Sequence, residues 1–169
     1  LGHTKLSCYF ETFDKCNSPH DIQNYFIFTS VRNPFERVLS AFKYLKKGGI
    51  NASDARTRDE YQMQRMSFSA FVFKNLHKTI EDSCVHFVPQ FEFISPHFDK
   101  LSFIARFETL QNDFNIVCDK IGIPRQELPH KNKTQHKHYT EYYNDETKQI
   151  VAEKYARDIE QFGYQFDKP

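Results

Sequence analysis

The sequence predicts an α/β fold in which a parallel central sheet is flanked by helices. Two short β-prone runs, Tyr25–Val31 and Ser102–Phe107, each lead straight into a segment with helical periodicity. Strands that alternate with helices in this way build layered α/β domains with parallel pairing. The length of 169 residues fits one domain with a sizeable core, and the whole chain, 1–169, reads as that single domain.

The elements follow in order. Tyr25-Phe26-Ile27-Phe28-Thr29-Ser30-Val31 has the apolar, β-branched and aromatic content of a buried strand. Arg32-Asn33-Pro34 then turns the chain: Asn33 is a good N-cap, and Pro34 suits the first helical position because it has no N–H to leave unsatisfied. Phe35, Val38, Leu39, Phe42 and Leu45 recur at helical spacing, and Gly48-Gly49 ends that helix. Asn51 to Asp59 reads as a polar linker, and Asp59 to His77 as one helix with Tyr61, Met66, Phe68, Phe71, Val72 and Leu76 facing a core. Cys84 to Gln90 is loop-like. After the second strand, Thr109 to Ile121 forms a helix closed by Gly122 and Pro124. His130 to His138 is a basic, polar surface loop. A last amphipathic helix runs from Asp145 to Phe162, with Ile150, Val151, Tyr155, Ile159 and Phe162 inward.

Composition removes several classes of function. Lys and Arg number 23 against 22 Asp and Glu, so the net charge of +1 gives no footprint of a nucleic-acid binder. Any anion site must arise from local clustering. No apolar run reaches the roughly 20 residues of a membrane span. Cys8, Cys16, Cys84 and Cys118 form no CxxC pair, which argues against a zinc ribbon or redox motif. They read as free thiols of a cytoplasmic protein, with a Cys8–Cys16 disulfide in a secretory compartment as the alternative.

The chemistry concentrates in Thr29 to Phe42. Arg32 stands where the first strand ends, at the carboxyl edge of the sheet, where α/β folds bind ligands. The helix N-terminus that follows offers N–H groups and a partial positive charge. Arg37 and Ser40 share one helical face. A phosphate beside it would accept a bidentate bond from Arg32, whose planar fork matches phosphate oxygens, and a hydrogen bond from the Ser40 hydroxyl.

R-x-P-x-x-R-x-x-S-x-F, here Arg32, Pro34, Arg37, Ser40 and Phe42, resembles the 3′-phosphate-binding motif of the carbohydrate sulfotransferases. Those enzymes use 3′-phosphoadenosine-5′-phosphosulfate (PAPS) as sulfuryl donor. The likeness extends to His86–Gln90 with its Pro-Gln pair, found in the membrane-type and bacterial branch, to Arg106-Phe107-Glu108-Thr109-Leu110 with Asp113-Phe114, to Tyr142-Tyr143, and to Tyr155…Asp158-Ile159…Phe162-Gly163-Tyr164. The resemblance implies a P-loop-like layered fold and assigns Arg32 and Ser40 to the donor's 3′-phosphate.

The family also holds the 5′-phosphosulfate with P-K-x-G-x-[ST]-[ST], and nothing in these residues matches it. Gly2-His3 lies where several relatives, including uronosyl 2-O-sulfotransferases, carry a Gly-His with a catalytic His. By that resemblance His3 is the general base, a task imidazole suits near neutral pH, while Glu11 or Asp14 remain alternatives. The resemblance also makes the His130–His138 loop a cover for the nucleotide, with Lys133 and Thr134 as phosphate contacts. His130, His136 and His138 have no acidic or Cys partner at ligand spacing, so no metal is expected.

The implied reaction is in-line transfer of a sulfuryl group from PAPS to a hydroxyl acceptor, carbohydrate by resemblance. Three other readings stand beside it. They are a non-catalytic nucleotide- or acidic-glycan-binding module, a kinase-like phosphotransferase (for which G-x-x-x-x-G-K-[ST] is missing), and an aromatic–basic nucleic-acid binder. Asn51-Ala52-Ser53 and Asn132-Lys133-Thr134 are formal glycosylation sequons, and a glycan on the second would block the nucleotide loop. That favours a bacterial, cytoplasmic protein over the Golgi lumen.

Overall fold

A computed structural model of the chain describes residues 4–16, 21–129 and 137–167. In chain order its helices and strands are α1 (Leu6–Lys15), β1 (Phe28–Val31), α2 (Pro34–Lys46), α3 (Ala52–Glu60), α4 (Phe68–Lys74), α5 (Leu76–Glu81), α6 (Phe91–Ile94), β2 (Phe103–Arg106), α7 (Leu110–Ile121), α8 (Asp145–Lys154) and α9 (Ala156–Phe162). They fall into two compact units. One comprises Leu1–Arg32 with Gln90–Gln135, the other Asn33–Pro89 with His136–Pro169.

The first unit holds the sheet. β1 and β2 pair in parallel with Phe28 opposite Phe103, Thr29 opposite Ile104, Ser30 opposite Ala105 and Val31 opposite Arg106. The mixed α/β class and the parallel pairing agree with the alternation read from the sequence. β1 is shorter than expected, and it is not buried on both faces: Val31 is buried, whereas Phe28 is 45% exposed. β2 passes through a 3₁₀ turn, Phe107–Thr109, into α7. Asp113 secures that junction, its carboxylate accepting from the Arg106 amide (2.6 Å) and the Thr109 hydroxyl (3.0 Å). Gly122 ends α7 at φ +75°, where a side chain would be strained. Val117 and Cys118 on α7 are buried, as are Phe91 and Ile94 on α6. On α1, Phe10 stacks on His97 with ring centroids 4.1 Å apart.

α1 had no counterpart in the sequence reading, and it settles the cysteine question. Cys8 lies within the helix and Cys16 at its C-cap, and all four cysteines are free thiols. Eight residues of helix put about 12 Å between their Cα atoms, beyond the reach of a disulfide.

The second unit is helical. Its core gathers Val38, Leu39, Phe42 and Leu45 from α2, Phe71 and Val72 from α4, and Leu76 from α5. Met63, Phe87, Val151 and Tyr155 also belong to it, all of them buried. Aromatic contacts tie these elements together: Phe42 stacks on Phe71 at 5.1 Å, and Phe71 meets Phe87 tilted at 4.9 Å. Buried hydroxyls are satisfied by backbone carbonyls, Tyr155 donating to Phe87 (2.6 Å) and Tyr143 to Phe35 (2.8 Å).

Three expectations about this unit change. The polar linker at residues 51–59 is helix α3, capped by Asn51, whose side chain accepts from the Asp54 amide at 2.9 Å. It escapes a periodicity test because its buried residue is an aspartate. The single helix expected over 59–77 is broken into a 3₁₀ turn (Met63–Arg65), α4 and α5. Ser67 starts α4 by accepting from Ala70, and Asn75, between α4 and α5, donates to the Tyr61 carbonyl at 2.6 Å. The last helix likewise divides at Tyr155.

Candidate functional site

Arg32 is the residue at which β1 runs out. Its peptide N–H donates to Gln90 Oε1 at 2.9 Å, and Gln90 Nε2 donates back to its carbonyl at 2.8 Å. The guanidinium carbon stands 4.2 Å from the centre of the Phe107 ring, one residue past the end of β2. Arg32 is half-buried. It therefore occupies the carboxyl edge of the parallel pair, the position at which α/β sheets present binding groups.

Asn33 opens the next unit, buried, with its side chain fully engaged. Its Oδ1 accepts from the Phe35 amide (3.1 Å), and its Nδ2 donates to the Gln165 carbonyl (2.9 Å) and the Tyr139 hydroxyl (3.4 Å). With Pro34 at the first helical position, α2 begins where the sequence places it. Arg37, Ser40 and Tyr44 follow at helical spacing along one half-buried face of α2.

Arg37 is not the ordinary surface arginine it could have been. Its guanidinium donates to the Val88 carbonyl at 2.9 Å and the Val85 carbonyl at 3.4 Å, anchoring the turn at residues 85–88 to α2. Tyr44 donates to Asp54 Oδ2 at 2.5 Å, the Ile50 amide donates to the same oxygen at 3.1 Å, and His86 Nε2 lies 3.2 Å from Asp54 Oδ1. Burial pushes the Asp54 carboxyl up. The bonds from Tyr44, Ile50 and His86 outweigh that and hold it below the ordinary carboxylate value. The same bond to Asp54, reinforced by burial and by its charge, raises the Tyr44 hydroxyl. Gly49 makes this packing possible: at φ +62°, a Cβ there would come within 2.2 Å of Asp54 Cβ.

Of the residues singled out in the sequence, Arg32 closes the sheet-bearing unit and Ser40 lies on α2 in the helical one. His3, Lys133 and Thr134 fall outside the described residues. Among the described residues, no group of three or more His, Cys, Asp or Glu is placed to hold a metal ion. None of their helices is long and apolar enough to cross a membrane.

Comparison with known proteins identifies the family. The sulfotransferase family model matches residues 3–165. The chain belongs to the sulfotransferase family. Carbohydrate sulfotransferase 14 of Danio rerio is 25% identical over 167 residues, covering 86% of this chain and 45% of the relative. Carbohydrate sulfotransferase 10 of Homo sapiens and its Pongo abelii counterpart are each 27% identical over 176 residues, covering 85% of this chain and 48% of theirs. The chain thus spans about half the length of the curated relatives it matches. No solved structure matches it.

Within this sulfotransferase chain, sequence reasoning missed Gln90 and Phe107 as partners of Arg32, and the Tyr44–Asp54–His86 cluster. In the sequence the Pro-Gln pair and Arg106-Phe107-Glu108 stand out only as marks of the fold. The partner of Gln90 lies 58 residues away along the chain, and that of His86 lies 32 away.

Proposed function

We propose that this sulfotransferase chain binds the 3′-phosphate of PAPS through Arg32 and Ser40 and moves the sulfuryl group onto a carbohydrate hydroxyl. The observation that carries the reading is the placement of Arg32. It stands at the carboxyl end of a parallel strand, its backbone gripped by Gln90, and runs directly into a capped helix bearing Ser40. A bidentate arginine and a hydroxyl are the donors a phosphate dianion requires. The carbohydrate acceptor is taken from the relatives, both of which are named carbohydrate sulfotransferases.

In this reading the acceptor oxygen attacks sulfur, the bond from sulfur to the 5′-phosphate oxygen breaks, and 3′,5′-adenosine bisphosphate leaves. His3 takes the acceptor's proton. Lys133 and Thr134 contact the nucleotide. Catalysis of this kind rests on positioning and charge stabilisation, as in phosphoryl transfer. Both compact units belong to one sulfotransferase domain. The vertebrate relatives support the Golgi lumen over the bacterial cytoplasm as its compartment.

Calorimetric titration of the full-length protein with 3′,5′-adenosine bisphosphate, against 5′-AMP, tests the donor site. The bisphosphate should bind far more tightly, and Arg32→Ala should weaken it by about 1.5–3 kcal/mol, the range for hydrogen bonds to charged groups. Equal binding of the two nucleotides, or an unchanged affinity in Arg32→Ala, would remove Arg32 from the site.

A further inference from the structure

Arg32 is held at both ends by residues that no chain-local motif connects to it. The exchange of two hydrogen bonds between its peptide group and the Gln90 amide copies the way one strand residue pairs with another. The β1–β2 register ends with Val31 opposite Arg106, so Gln90 adds one rung beyond the sheet. At the other end, Phe107 lies under the guanidinium although it is 47% exposed. So exposed a ring is poorly explained as core packing, whereas a cation over its face gives it a partner.

Chemistry favours these two restraints for a phosphate-binding arginine. A long side chain at a strand end has many rotamers to lose on binding, and fixing its root and its head beforehand removes much of that cost. A ring holds the cation without consuming its N–H donors and without neutralising its charge, as a carboxylate would. The contact is therefore compatible with a bidentate phosphate.

We propose that Gln90 and Phe107 are positioning residues for the donor's 3′-phosphate, acting through Arg32. Gln90 fixes the arginine's backbone and Phe107 fixes its guanidinium. The proposal rests on the assignment of Arg32 to that phosphate.

The test measures binding of 3′,5′-adenosine bisphosphate and of 5′-AMP to full-length protein, as wild type, Arg32→Ala, Phe107→Leu, Phe107→Tyr and Gln90→Met. Phe107→Leu keeps apolar bulk and loses the ring face, and should bind the bisphosphate roughly two- to fivefold more weakly. Phe107→Tyr should restore wild-type affinity. Gln90→Met keeps the length and loses both hydrogen bonds, and should weaken the bisphosphate roughly tenfold. Binding of 5′-AMP should be unchanged throughout, because it carries no 3′-phosphate. If Arg32→Ala loses the bisphosphate while Phe107→Leu and Gln90→Met bind it like wild type, the positioning role is overturned and the Arg32 assignment stands. Equal weakening of both nucleotides, or no restoration by tyrosine, marks a merely structural role and also overturns it. If Arg32→Ala binds the bisphosphate like wild type, the assignment itself fails and the proposal with it.

Discussion

Asp54 accepts three hydrogen bonds in a site that is almost closed to water. Replacing it by alanine would remove the acceptor of the Tyr44 hydroxyl and break the bonds from the Ile50 amide and the His86 ring, at a cost of about 2–3 kcal/mol. Denaturant unfolding of Asp54→Ala checks that value. Its carboxyl is held below the ordinary value, so it stabilises the fold fully above the unfolded-state value of about 4. That stabilisation is lost as pH falls through the lower folded-state value. The gap in Tm between wild type and Asp54→Asn should therefore be widest at pH 5 and narrow towards pH 3. A gap that does not change with pH would show that the carboxylate's charge contributes nothing. Gly49→Ala should cost about 3 kcal/mol, since the left-handed backbone and the Asp54 side chain both exclude a Cβ. Ser40→Ala should weaken bisphosphate binding by about 1 kcal/mol, measured by calorimetric titration. Arg32 and Ser40 stand out in the sequence because both lie within one strand–turn–helix stretch. The Asp54 cluster does not, because a buried polar residue leaves no periodic trace and its partner His86 lies 32 residues away.

At the level of elements, periodicity found what has an apolar stripe and failed elsewhere. α2 and α7 were read nearly to their ends because Asn33-Pro34 and Gly122 punctuate them with defined backbone roles. α3 reads as a linker because Ala52-Ser53-Asp54-Ala55-Arg56-Thr57-Arg58-Asp59-Glu60 presents no apolar face; its readable signal is the cap, Asn51. The division of 59–77 was missed for the opposite reason. Its apolar residues are abundant enough to suggest one continuous helix, and the breaks lie in Ser67 and Asn75, whose side chains bond to the backbone. Ser67→Ala should therefore destabilise the protein by about 1 kcal/mol, the usual cost of a lost N-cap, measured by chemical denaturation. An effect within experimental error would mean that α4 is held by core packing alone.

For the whole chain, the α/β class and the family could be read from sequence, but the division into two units could not. One boundary falls between Arg32 and Asn33 and another between Pro89 and Gln90, inside two of the stretches that carry the family resemblance. No linker composition marks either place. The parallel register joins Phe28 to Phe103 across a long intervening stretch, which contains the whole of α2, α3, α4, α5 and α6. That separation bears on the order in which the molecule assembles. Closing so long a loop carries a large entropic barrier, whereas helices close theirs over a few residues. The helices between the strands should form first and shorten the path, and the ladder should zip afterwards. In stopped-flow experiments Ala105→Gly in β2 should then mainly speed unfolding, while Leu39→Ala in α2 should mainly slow refolding. The strand end that carries Arg32 would thus acquire its Phe107 partner only in the closing phase of folding.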